Sequence, residues 1–387
     1  MTKPLEGYRI ADFSHVMAGP YATHLLCMLG AEVIKIEPPA GDAFRVYRGD
    51  SRFDGMSPAF VSANAGKKSI ALDLKQPEDV RIARAVIERS DVLIENFRPG
   101  VIGRLGFSYD DVRAYNPDIV FCSVSGYGQD GPCRDWPAID NIVQATSGMM
   151  MLGGAEGDPP VRVGFPIVDT LTGQTAAIAI LSALLRRERG EGGSYIDVSM
   201  LNASLAFMTS ALTPYLLTGE ELPRAGNTGY SGLPTSALFT ARDGRQISLG
   251  VVQPKQFAAL AAYLGREDWL GDERYATPGA QRNHFAALHG ELAAELAKKD
   301  AADLELEMSE RGIPCGMVRR VGEAADLMGA AGLEQIPLPT VPAGGRPLIP
   351  TAGFNIHPDG PAASAPPPRL DENRAEILAW LAEPVTR

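Results

Sequence analysis

From Tyr8 onward, apolar positions alternate between two rhythms. Short runs rich in Ile, Val and Phe read as strands: YRIADFS, EVIKIE, SIALDL, DVLIEN, DIVFCSVSG and YIDVS. Segments with helical spacing lie between them. YATHLLCML follows the Gly19-Pro20 break and ends at Gly30, and PEDVRIARAVIER is opened by Pro77. Long apolar helices are expected on either side of YIDVS, between Asp169 and Leu217. This repetition predicts an α/β fold, a mostly parallel sheet covered by helices, because parallel strands need crossover connections that helices supply.

The text PRAGNTGYSGLP, near residues 223–234, marks a boundary. Beyond it, SALFTA and RQISLGV predict a hairpin that turns at Asp243-Gly244, where glycine takes the positive φ a tight turn requires. Helices rich in Ala, Leu and Glu are expected over 254–311. The chain thus divides into a large Rossmann-like domain over 1–222, completed by 330–387, and a smaller α/β domain over 223–329. After residue 334 the text is Pro-, Gly- and Ala-rich as far as Pro368, which predicts an extended path across a surface. A short helix from Asp371 to Leu381 closes the chain, and no solenoid-type repeat is present.

Composition narrows the partners. With 387 residues, 45% of them hydrophobic, the chain can bury a large core and fill two folded units. The 36 Lys and Arg against 47 Asp and Glu leave a net charge of −11, which argues against nucleic acid. An anionic ligand therefore needs a local basic pocket. Cys27, Cys122, Cys133 and Cys315 form no CxxC pair, so neither a disulfide framework nor a zinc site is expected, and a reducing cytoplasm is. Met1 to Tyr8 lacks the apolar region of an export signal, and no stretch reads as reaching the ~18 apolar residues that span a bilayer, so no membrane association is expected.

Several motifs fail on context. Gly126-Tyr127-Gly128-Gln129-Asp130-Gly131 fits G-x-G-x-x-G after a strand, but Pro132 and CRDWP follow instead of a helix, and no acidic residue lies about 20 positions on to hold a ribose. Ala65-Gly66-Lys67-Lys68-Ser69 superficially resembles a phosphate loop, but Val61 stands where its first glycine belongs. His15, His24, His284, His289 and His357 form no H-x-x-x-H pair, so no metal site is expected. No G-x-S-x-G elbow is present either. Two features remain. Lys67, Lys68, Lys75, Arg98 and Arg104 are either a solvated basic face or the seat of a phosphorylated ligand. Asp169, just before a long helix, is either an N-cap or a carboxylate held ionised for nucleophilic work.

Seven ordered blocks bear on that choice: DFSHVMAGPYATHLLCMLGAEVIKIEPPAGD, NAGKKSIALDLK, ENFRPGVIGRLG, FCSVSGYGQDGP, DNIVQATSGMM, FPIVDTLTG and YIDVSML. Together they resemble the class III CoA-transferases, the group of formyl-CoA, carnitine and α-methylacyl-CoA enzymes. The resemblance implies a Rossmann-like large domain with a smaller α/β domain, in an interlocked homodimer. It implies that coenzyme A lies against Val16, Met17 and Ala18, with Leu72, Lys75, Asn96, Phe97, Arg98 and Arg104 around its nucleotide and pantetheine. It makes Asp169 the catalytic carboxylate, with an acyl-CoA thioester and a small carboxylic acid as substrates and no permanently bound cofactor. The donor expected from the family is succinyl-CoA or acetyl-CoA.

Two departures bear on the substrate. Formyl-CoA transferases carry a glutamine after the HV pair and a glycine run over the active site; the corresponding positions here are Met17 and Gly250-Val251-Val252-Gln253. Valines make that loop stiffer and more apolar, which argues against formyl and oxalyl groups and for a larger or less polar acyl group. The alternative reaction is α-carbon racemisation, which needs an acid–base pair. Racemases of the family carry a histidine before the catalytic aspartate, where this chain has Ala138-Ile139-Asp140-Asn141. A CoA-binding protein without activity is a third reading, opposed by the intact Asp169. The loop GGAEGDPPVRVG offers Arg162 either to a second substrate carboxylate or to a structural salt bridge.

Overall fold

The computed structural model describes residues 3–49, 55–328, 333–335, 348–358, 360–362 and 365–384. Its chain divides into two compact units, Met1–Met149 with Arg162–Gly219 and Met328–Arg387, and Met150–Val161 with Glu220–Leu327. The first is built on six strands, β1 (Arg9–Asp12), β2 (Glu32–Glu37), β3 (Lys68–Ala71), β4 (Val92–Glu95), β5 (Val120–Ser125) and β6 (Ser194–Ser199). They pair in parallel in the order β3-β2-β1-β4-β5-β6. This is the doubly wound arrangement, in which chain direction across the sheet reverses between β1 and β4, and ligands bind beyond the strand ends at that reversal.

Strand alternation divides the core in two. Ile10, Val92, Ile94, Val120, Cys122 and Val124 face one layer, while Ala11, Leu93 and Phe121 face the other. The helices of this unit include α1 (Ala18–Met28), α2 (Pro58–Asn64), α3 (Pro77–Glu88), α4 (Val101–Arg104), α5 (Tyr109–Arg113), α6 (Asp140–Thr146), α7 (Ile167–Arg186), α8 (Met200–Phe207) and α9 (Thr209–Thr218). Ala18, Ala22 and Leu26 of α1 meet Ala176, Ala177, Ile180 and Ala183 of α7 in the first layer. Residues of α3, α4 and α5 fill the second.

By length and composition, α7 with its continuation to Glu191 qualifies as a membrane span, with mean hydropathy 1.4. The expectation that no stretch reaches that length is corrected accordingly. Asp169, Gln174 and several threonines dilute the run in the sequence, whereas the helix joins its apolar face into one continuous element. Half of that window is buried inside the fold, against α1 and the sheet. The consecutive helices α8 and α9 pass the same test together but bend by 81°.

The second unit holds the expected hairpin, β7 (Leu238–Thr240) and β8 (Gln246–Leu249), with Gly244 at φ 78° in its turn. A third antiparallel strand, β9 (Cys315–Met317), extends it. Around them pack α10 (Pro254–Leu264), α11 (Asp268–Gly271), α12 (Pro278–Asn283), α13 (Phe285–Leu296) and α14 (Ala301–Glu310), followed by α15 (Val321–Met328). Most of the expected extended stretch after residue 334 lies outside the described residues. What is described includes an antiparallel pair, β10 (Leu333–Gln335) with β11 (Leu348–Pro350), and the closing helix α16 (Arg374–Ala382). Pro366 and Pro368 offer carbonyls to the Gly66 N–H and to Arg45, which ties this tail to the first unit.

Candidate active site

The loop leaving β1 is clamped by buried charge. The Asp12 carboxylate accepts from Lys67 at 3.1 Å, from the Thr23 hydroxyl at 2.7 Å, and from the Ser14 amide and hydroxyl. Lys35, wholly buried, donates to the Ser14 carbonyl at 2.7 Å and lies 3.1 Å from Asp42. Asp42 in turn accepts the Val16 N–H at 3.1 Å. From the β4 side, Asn96 accepts the His15 N–H and donates to the His15 carbonyl, both at 2.8 Å, while Phe97 packs 5.4 Å from the His15 ring. Ser14, His15 and Val16 are thus each held by a different side chain.

This clamp holds Val16 at φ 65°, a region that is costly for a β-branched residue. The charges that enforce it are themselves sensitive to loss of a partner. Burial alone would push the Asp12 carboxyl up, yet Lys67 and Lys35 overcome it and hold the group far below the usual carboxylate range. Burial also brings Lys67 down to about 8, against the attraction of Asp12. Beyond Val16, α1 begins at Ala18 with no side chain capping its first turn.

Helix α7 packs unusually close to that turn. A Cβ at Gly173 would lie 2.7 Å from the Ala18 carbonyl oxygen and 3.2 Å from the Ala22 nitrogen, so glycine alone permits the approach. Asp169 is one turn earlier on the same helix. It is the third residue of α7, with Pro166 at the cap position. The N-cap reading of Asp169 is therefore corrected: the carboxylate that accepts the first amides is that of Asp140, from Val168 at 2.7 Å and Asp169 at 3.1 Å. Gln144 fixes Asp140 by donating to its other oxygen at 2.6 Å. Burial first, and then the negative charge of Asp140, push the Asp169 carboxyl up to about 7. The helix terminus does not keep it strongly ionised, because Asp140 already occupies the amides.

The basic residues sort into two groups. Lys67 is consumed by Asp12, and Lys68 pairs with Glu32 at 2.5 Å and Glu376 at 2.6 Å, so neither is a ligand seat. Lys75, Arg98 and Arg104 are exposed, and their side chains make no ion pair among the described residues. The Arg104 and Arg134 guanidinium groups converge on Gly100, each within about 3.6 Å of where its Cβ would stand. Lys75, Arg98 and Arg104 therefore follow the ends of β3 and β4 without an ion pair among the described residues, and Arg134, which lies 3.9 Å from Asp135, joins Arg104 there.

Residues 5–374 match the model of CoA-transferase family III. The chain belongs to CoA-transferase family III. It is 37% identical to the acetyl-CoA:oxalate CoA-transferase of Acetobacter aceti, over 98% of this chain and 96% of that protein. It is 34% identical to the succinyl-CoA:glutarate CoA-transferase of Mus musculus, over 97% of this chain and 86% of the other. Among solved structures, a CaiB/BaiF family protein from Brucella suis superposes with a TM-score of 0.87 at 27% identity, covering 98% of this chain and all of that one. The enzyme is thus a class III CoA-transferase, and CoA thioesters are the substrates of such enzymes.

In this family III transferase, Val16, Met17, Ala18, Asn96 and Phe97 come together at the β1–β4 reversal. Lys75, Arg98 and Arg104 lie on the same edge of the sheet. Leu72 differs, since it is a buried core residue whose N–H is taken by the Glu37 carbonyl at 2.7 Å. The G-x-G-x-x-G segment follows β5, not β1, and Gly126 packs against Ala138, so its glycines serve a local turn. Sequence reading missed Asp42, Asp140 and Arg134. Asp140 had a signal, as an acid opening the block DNIVQATSGMM, but its partners on α7 are far away in the chain.

Proposed function

We propose that this transferase moves CoA from an acyl-CoA donor, such as succinyl-CoA or acetyl-CoA, to a carboxylic acid, using Asp169 as covalent carrier. The observation that carries this reading is a carboxylate poised near neutrality and partly buried, one turn before Gly173, where α7 meets the uncapped first turn of α1. An Asp169 oxygen attacks the thioester carbonyl, the C–S bond breaks, and CoA leaves as thiolate from a mixed anhydride. The thiolate attacks the aspartyl carbonyl, and the donor acid departs as carboxylate. The acceptor carboxylate then attacks the aspartyl-CoA thioester and expels the thiolate, which captures the acceptor's acyl carbon and frees Asp169. Each tetrahedral oxyanion needs donors, and the Ala18 and Gly19 amides, at the unoccupied end of α1, suit that task.

In this reading CoA runs over Val16, Met17 and Ala18, with its pantetheine near Asn96 and Phe97. Lys75, Arg98, Arg104 and the newly found Arg134 meet its phosphates. Two copies form the working homodimer, which is supported by the exposed Ile178, Leu185, Phe207, Tyr215, Leu216 and Leu217 on α7 to α9. Racemisation is disfavoured because Asp140, the carboxylate whose charge acts on Asp169, is occupied by helix amides and Gln144. Intact-mass measurement after incubation with acyl-CoAs tests the proposal. A CoA adduct on Asp169, cleared by hydroxylamine and missing in Asp169→Ala, is expected; α-carbon deuterium exchange without any adduct would favour the racemase instead.

A further inference from the structure

Among the described residues, three that are not glycine adopt a positive φ: Val16, Arg48 and Asp371, at 65°, 52° and 61°. Val16 alone of these is β-branched, and its side chain is 44% exposed, so burial does little to offset the cost of its conformation. The compensation is polar. Both Asp42 carboxylate oxygens accept the Val16 N–H, at 3.2 and 3.1 Å, and one of them also accepts the Phe44 N–H at 2.9 Å. The Asp42 side chain is wholly buried and anchored on two sides, since Lys35 lies 3.1 Å from its carboxylate and its own N–H donates to Glu37 at 3.0 Å. A fixed, ionised acceptor holds an amide more strongly than a neutral one.

The residues that follow show what this conformation serves. Pro20 has no N–H, and the Tyr21 N–H is taken by the Met17 carbonyl at 2.8 Å. The amides of Ala18 and Gly19 have no acceptor among the described residues, although both residues are buried. Buried amides without a partner are rare, and these two stand together. A Cβ at Gly19 would overlap the Ser14 side chain, so the loop before Val16 and the start of α1 are packed without slack, and a change at Val16 moves both amides. We propose that Asp42 is a positioning residue for CoA transfer: by holding Val16 left-handed, it aims the Ala18 and Gly19 amides at the oxyanions formed in the reaction. The proposal rests on the transfer reading and adds to it the residue that sets the direction of those donors. Asp42 acts through the backbone alone.

The test compares Asp42→Ala and Asp42→Asn, each with and without Val16→Gly, in the full-length protein. Three quantities are read: the rate at which acetyl-CoA forms the Asp169 adduct, the affinity for free CoA by calorimetry, and the Val16 φ in crystals. Asp42→Ala should slow adduct formation about 10- to 100-fold, as misplaced oxyanion donors do, and far more than it weakens CoA binding. Val16 should leave the left-handed region. Glycine takes a positive φ without cost, so with Val16→Gly present the loss caused by Asp42→Ala should be smaller by about 5-fold or more. If Asp42→Ala does not fold because it strands Lys35, Asp42→Asn carries the same comparison with a smaller loss. An equal loss with and without Val16→Gly, a matching loss of CoA affinity, or a Val16 that stays near φ 65° would overturn the proposal. Absence of any adduct in the wild type with acetyl-CoA or succinyl-CoA would sink the transfer mechanism instead, and the crystals would still judge whether Asp42 holds Val16.

Discussion

Replacing Asp169 with Asn should make the protein more stable, and the gain should depend on pH. The Asp169 carboxyl is pushed from 3.8 to about 7, first by burial and then by Asp140. In the unfolded chain it ionises near its ordinary value. Between those limits the folded state holds a proton that the unfolded state has released, so stability falls as pH rises from about 4 to about 7 and stays low above. At about 1.36 kcal/mol per pH unit the full penalty approaches about 4 kcal/mol, and residual solvent contact reduces it to about 2 to 4 kcal/mol. Asparagine carries no charge and escapes the penalty. Urea unfolding of both proteins at pH 5 and pH 8.5 should show a gain of that size at pH 8.5, with more than half of it gone at pH 5. Equal gains at the two pH values, or a less stable variant at pH 8.5, would refute the claim that Asp169 is electrostatically strained.

Asp140→Asn keeps an acceptor for the α7 amides but removes the charge, so the acid limb of the transfer pH profile, near 7 in the wild type, should move to lower pH; an unmoved limb would assign it to another group. Gly173→Ala drives a methyl group against the Ala18 carbonyl and should cost about 1 to 3 kcal/mol by urea unfolding, with a larger loss of turnover as the two helix starts separate. Lys67→Met leaves Asp12 buried without its nearest cation and should cost about 3 to 5 kcal/mol, part of which Asp12→Asn restores in the double variant, as denaturant titrations of the cycle would reveal. Arg104→Ala should raise KM for acyl-CoA about 10-fold while leaving kcat nearly unchanged, because an exposed unpaired guanidinium contributes to binding alone.

The sheet was legible because strand periodicity is local. All six segments read as strands lie in the parallel sheet, and Asp243-Gly244 turns the hairpin where its glycine requires. The site was legible only where a residue's task is local too. Val16 to Ala18 and Asn96 to Arg98 follow β1 and β4, and the topology brings two such loops together. Lys67 and Lys68 were misjudged because exposure is a tertiary property: the same charge that reads as a patch in the text is folded onto Asp12 and Glu32. Whether Asp169 caps its helix could not be decided from the sequence for a similar reason. Its own position before a helix is visible in the sequence, whereas the arrival of Asp140 at the helix start depends on how α6 packs.

The strain on Asp169 has a chemical use under the proposed mechanism. The ionised carboxylate is disfavoured where it stands, but the anhydride and thioester it would become are neutral. Covalent attachment therefore removes the charge that burial and Asp140 oppose, and the folding penalty of the free enzyme is returned when the intermediate forms. A carboxylate stabilised by the α7 amides would have the opposite character: comfortable as an anion, and reluctant to attack. By capping α7 itself, Asp140 denies those amides to Asp169 and adds its own repulsion. The amides of α1, still uncapped, remain for the oxyanions that appear later. The pH-dependent stability gained by Asp169→Asn and the readiness of the wild type to form its CoA adduct should therefore fall together in Asp140→Asn.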